Sequence, residues 1–137
     1  MKKLPTNREI LRQIYDQYYK SFGEFKKNQE LVPRATKIYV PIDVVKIAKR
    51  LNVDPDIVFG RLYYHLDKKY AYERLDGSKV HLFALKAGAD HHVVNFPLLS
   101  AVLSDLEEAK NRYTRVTAIS VLALFVSAIS LIASFLR

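Results

Sequence analysis

No cysteine occurs in this chain, which excludes disulfides, thiolate zinc sites and cysteine nucleophiles together. Glycine is scarce: Gly23, Gly60, Gly77 and Gly88 stand alone, so there is neither a Walker loop nor a glycine-rich phosphate cradle. No Ser/His/Asp pattern marks a nucleophile with its base, and the chain is expected not to be an enzyme. The opening MKKLPTNREI has no apolar stretch, so no export signal is expected. His65 and His81 have no sequence partner, and adjacent His91-His92 lacks the i, i+4 or strand spacing that converges two rings on one ion. Neither a metal nor any other cofactor is expected. The last absence says most: from Val116 to Leu136 there is no charge, no proline and no glycine.

That run, VTAISVLALFVSAISLIASFL, is 21 residues long. As a helix rising about 1.5 Å per residue it spans roughly 31 Å, one hydrocarbon thickness. Its place at the C-terminal end of the sequence is unlike that of a cleaved signal. Lys110, Arg112 and Arg115 precede it and Arg137 follows. The positive-inside rule then predicts a single-pass protein of the cell inner membrane with its soluble part in the cytoplasm. Residues 1–115 hold 21 basic and 14 acidic residues, a balance of +7. Such a balance points to an anionic partner, nucleic acid or an anionic leaflet, without choosing between them.

Along the chain, Thr6 and Glu9 form a capping box, and Leu11, Ile14, Tyr15, Tyr18, Phe22 and Phe25 recur at helical spacing. A helix is predicted from about Asn7 to Lys27, and a connector over 28–36 containing Pro33. Thr36–Pro41 (TKIYVP) reads as a strand, Ile42–Leu51 as a short amphipathic helix, and Asn52-Val53 as a turn. Asp54-Pro55 supplies a cap and a first-turn proline for a helix to about Lys69 that buries Val58, Leu62 and Leu66. Two β-prone runs, Tyr70–Leu75 and Val80–Leu85, flank Asp76-Gly77, a hairpin signal.

Helix, strand, helix, turn, helix, hairpin in this order resembles the winged helix-turn-helix superfamily. The resemblance rests on IAKRLNVDPDIVFGRLYYHL (Ile47–Leu66) and the wing YAYERLDGSKVHLFAL (Tyr70–Leu85) and covers about residues 7–86. It implies a mostly α member of the α+β class with the winged domain at 1–86; the rest of the chain reads as a linker at 87–96, a juxtamembrane amphipathic helix at 97–115 and a transmembrane helix at 116–136. In DNA readers of this type the second helix of the motif enters the major groove. Arg61 is then the candidate for bidentate pairing with guanine, with Tyr64 and Lys68 on the same exposed face. Lys46, Lys49 and Arg50 on the preceding helix, and Arg74 and Lys79 at the wing, suit phosphates. Asp56 and Asp67 oppose phosphate, and Phe59, Tyr63 and Tyr64 are unusual on a groove-facing helix. A protein partner therefore stands beside DNA as the alternative.

From Pro97 a second pattern begins: Leu99, Val102, Leu106, Ala109, Tyr113 and Val116 step by 3 and 4, a heptad seam. Extended into the apolar run it falls on Ser120, Ala123, Ser127, Ser130 and Ser134. Small residues let helices approach closely in lipid, so a homo-oligomer is expected; serines bonding back to their own helix are the plain-anchor alternative. Two functions follow as expectations. One is a membrane-anchored winged-helix protein holding DNA at the cytoplasmic face as regulator or tether. The other is a membrane effector or adaptor, a toxin or defence accessory, whose winged helix binds a protein and whose tails cluster or perturb the bilayer.

Overall fold

The structure, a computed structural model, describes residues 2–25 and 36–137. The connector expected over 28–36 falls almost wholly outside them, as do Lys26 and Lys27 of the first predicted helix. The chain is mostly helical, with a small antiparallel sheet and one long C-terminal helix. It divides into two units, Met1–Leu103 and Ser104–Arg137.

Helix α1 spans Asn7–Gly23. Its start is the expected capping box: Thr6 Oγ1 accepts from the Glu9 N–H (3.1 Å) and Glu9 Oε2 from the Thr6 N–H (2.8 Å). That backbone bond holds the Glu9 carboxyl below its ordinary pKa. Ile10, Leu11 and Ile14 are buried. Tyr15 and Phe22 lie on the ring of Phe96, with centroids 5.4 and 4.7 Å away.

Strand β1 (Tyr39–Pro41) leads to α2 (Val44–Leu51), capped by Asp43, whose carboxylate accepts from the Lys46 N–H (3.1 Å). Asn52 ends α2 in the left-handed region, φ +54°, where asparagine is tolerated better than most residues. Asp54 caps α3 (Pro55–Gly60), with Pro55 in its first turn as expected. Helical backbone then continues through a π-helical segment, Arg61–Leu66, into α4 (Asp67–Tyr70). Val58, Leu62 and Leu66 are fully buried. In a straight α-helix each step of four overshoots a turn by roughly 40°, so three such residues drift around the axis. The wider turns of the π segment draw them back to one face.

Strands β2 (Tyr72–Glu73) and β3 (Lys79–Val80) form a small hairpin. Its turn is wider than the two-residue Asp-Gly type: Gly77 has φ +85° but Asp76 does not share the positive φ. Asp76 instead accepts from the Ser78 N–H (2.9 Å) and hydroxyl (2.6 Å), which lower its pKa. The run expected as one strand, Val80–Leu85, is broken at His81-Leu82, and β4 (Phe83–Ala87) belongs to another sheet. The segment 87–96, expected as a linker, contains β5 (Asp90–Asn95). A two-residue turn with Gly88 at φ +61° joins it to β4, and β5 lies between β1 and β4. Val93 and Val94 are fully buried, and Tyr39 pairs with Asn95. Two valines among polar neighbours give too short a run to mark a strand in the sequence; the pairing with distant β1 makes it one.

Helix α5 spans Phe96–Phe135 without interruption. Asn95 is buried and its side chain accepts from the Leu98 N–H (3.1 Å), a cap ahead of Pro97. Phe96, Leu99, Val102 and Leu103 are buried and complete the core of the first unit.

Candidate functional site

The π segment sets the aromatic side chains of one concave surface. Phe59 and Tyr63 stack with centroids 5.4 Å apart at 17°, and Phe83 from β4 meets Phe59 edge-on at 5.8 Å. Tyr64 stands nearly perpendicular to Tyr63 (5.0 Å, 81°) and is 70% exposed. Tyr63 and Tyr64 line an open groove of about 590 Å³ together with Lys68 of α4, Lys79 of β3, His81, and Lys86 of β4.

Asp67 is the one acid in that lining. Its Oδ1 accepts from the Leu82 and Phe83 N–H groups (2.8 and 3.2 Å), and its Oδ2 lies 3.0 Å from His81 Nδ1. The expected exposed charge opposing phosphate is thus a half-buried bracket fixing the groove's far wall. It also explains the break after Val80, since Leu82 and Phe83 turn their N–H groups to a side chain.

Of the eight residues expected to bind DNA, Tyr64, Lys68 and Lys79 come together in this groove. Lys46, Lys49 and Arg50 form an exposed stripe on α2, opposite its buried Val44, Ile47 and Ala48. Arg74 is exposed at the β2–β3 turn, beside Glu73, Leu75 and Asp76. Arg61 is corrected. It is half-buried, and its Nη1 donates to the Pro5 carbonyl (3.1 Å) and Asn7 Oδ1 (2.9 Å), tying the chain's beginning to the π segment. A guanidinium held this way is not presented for bidentate contact with a base. Lys86 and His81 were not among the expected residues. Lys86 follows the predicted wing directly, and it reaches the groove on β4, whose start the Asp67 bracket holds beside the helix.

No family model matches the chain, nor does any curated protein or solved structure.

Among the described residues no three His, Cys, Asp or Glu side chains converge as a metal site would need. His92 has φ +50° within β5, and its ring packs against Phe59 (5.6 Å) and Phe83 (6.1 Å). With His91 it borders a second groove, of about 510 Å³, lined also by Val45, Pro55 and Phe59.

The heptad seam is corrected at its start. Leu99 and Val102 are buried in the first unit's own core, so they are not free for a second chain. Leu106 is half-buried, whereas Tyr113, Ala123, Ser127, Ser130 and Ser134 are exposed. Ser120 and Ser130 donate to the carbonyls of Val116 and Val126 (both 2.9 Å), and Thr114 to that of Lys110 (3.0 Å). This is the back-bonding a lone helix uses to satisfy hydroxyls. Every residue from Glu108 to Arg137 is exposed. By length and composition α5 can cross a membrane.

Proposed function

We propose that this is a membrane-anchored nucleic-acid-binding protein. Its first unit, of winged helix-turn-helix type, holds DNA at the cytoplasmic face of the cell inner membrane, as a regulator or tether. The tail spans the bilayer and brings chains together. The observation that carries the reading is the groove: three lysines from three elements and two exposed tyrosines converge, and the one acid among them is engaged in backbone hydrogen bonds. Cations placed so neutralise a run of phosphates, while rings contact bases. The order of α1, β1, α2 and α3 followed by paired strands supports the winged-helix part, with β4–β5, joined to β1, better suited to the wing than β2–β3. Lys110, Arg112 and Arg115 ahead of the apolar run support the orientation.

The test uses the full chain in zwitterionic nanodiscs, titrated with a DNA duplex bearing a single-stranded tail. Three phosphate contacts should make log affinity fall against log salt with a slope of about −2.7, about 40-fold between about 50 and about 200 mM. Lys79→Ala should lower that slope by about one. Absence of binding at low salt defeats the reading.

A second reading, an effector or adaptor that binds a protein, draws on a different surface. Val45 and Ile57 are 56% and 43% exposed, and Val45 borders the groove beside Phe59 and His92. Depolarisation of cells on overexpression, lost in Ser127→Leu, would favour it.

A further inference from the structure

We infer that the groove takes an unpaired strand of nucleic acid rather than a double helix. The inference rests on the nucleic-acid reading above and names the form of the ligand. A duplex hides the faces of its bases and offers edges and phosphates; reading edges calls for forked hydrogen-bond donors on an exposed helix. The π segment offers none. Its exposed side chains are Tyr63, Tyr64 and His65, all rings, and its one guanidinium, on Arg61, is held by Pro5 and Asn7.

Rings are what an unpaired strand needs. Every base has a π face that stacks on an aromatic side chain, and such stacking tolerates any sequence. Tyr63 is braced from behind by Phe59 at 17°, which fixes its plane before any ligand arrives. Tyr64 stands at 81° to it, largely exposed. The two rings thus contact successive bases only where a strand can turn between them, as a single strand does and a stacked duplex does not. Lys68, Lys79 and Lys86 line the same groove and follow the backbone past the rings. The lysines serve either form of nucleic acid; the crossed tyrosines serve the unpaired one.

The experiment measures anisotropy of labelled oligothymidylate, oligouridylate and a blunt DNA duplex of equal length with the full chain in zwitterionic nanodiscs. At least one single strand should bind on the order of tenfold more tightly than the duplex. Tyr64→Ala should weaken single-strand binding by about 10- to 100-fold and duplex binding by much less, while Tyr64→Phe keeps the stack and most of the affinity. Because Tyr64 is so exposed, its replacement leaves the core in place, and a thermal melt of each variant checks this. Equal binding of strand and duplex, or a Tyr64→Ala variant that binds strands like the parent, overturns the inference and leaves the nucleic-acid reading intact. Failure of all three probes at low salt overturns both.

Discussion

Asp67 reaches from α4 to two backbone N–H groups and an imidazole of the segment that follows the first hairpin. Leu82 and Phe83, which donate to it, are essentially fully buried, so without the carboxylate their N–H groups lose their acceptor where water does not replace it. Asp67→Ala should therefore cost about 1–3 kcal/mol, read as a lower midpoint in denaturant with an unchanged slope. A loss under about 0.5 kcal/mol, the size of an ordinary surface change, would show that the bracket contributes little. The sequence reading of this residue was the reverse, an exposed charge opposing phosphate. Arg61 was misread in the same way, as a base reader. Asp67 finds its acceptor role 15 and 16 residues onward, and Arg61 its acceptors 56 and 54 residues back. Periodicity assigns a side chain to a face of its own helix, but not to whatever part of the chain folds against that face.

Between elements, the Tyr18 hydroxyl of α1 accepts a 2.7 Å hydrogen bond from the Asp43 N–H at the start of α2. Burial raises its pKa, the Asp43 charge adds to the rise, and the accepted hydrogen bond opposes it. With the folded value above the unfolded one, Tyr18 is neutral in both states below about pH 10 and its contribution is fully present. As pH climbs past about 10 the unfolded chain ionises first, and stability falls until the folded hydroxyl also titrates. The difference in unfolding free energy between the parent and Tyr18→Phe should therefore shrink above about pH 10 and stay flat from about 6 to about 9. A difference that grows with alkalinity would contradict the burial of this hydroxyl.

At this scale the sequence was most legible where the signal is local. The capping box at Thr6 and Glu9 and the Asp54-Pro55 start are set within four residues of chain, and both helices begin where those signals lie. β5 had no such signal. Its Asp90-His91-His92 start and its single pair of valines acquire strand character only from β1 and β4 on either side. The groove was half legible for the same reason: Tyr64, Lys68 and Lys79 sit near the predicted helix and hairpin, whereas Lys86 reaches it on β4, whose place beside the helix local pattern did not reveal.

For the molecule as a whole, the two helices expected at 97–115 and 116–136 are one, Phe96–Phe135, that starts in the core and ends in the apolar run. Because Leu99 and Val102 are engaged by that core, a contact between chains along the seam is left only the positions from Leu106 onward. The tail itself carries 12 Leu, Ile, Val and Phe residues between Val116 and Leu136. At about −0.3 to −0.6 kcal/mol each near a bilayer centre they favour insertion by roughly 4–7 kcal/mol, before the serines and threonine reduce it. One arginine near the centre costs about 2.5–3.5 kcal/mol, a large part of that margin. Leu124→Arg should therefore move a substantial share of the protein from the floating to the soluble or aggregated fraction in liposome flotation. Leu75→Arg, at the fully exposed β2–β3 turn, should leave the distribution as it was. The pair separates two reasons for an exposed leucine. If both variants float like the parent, insertion of the apolar run is not what holds the protein on the liposomes.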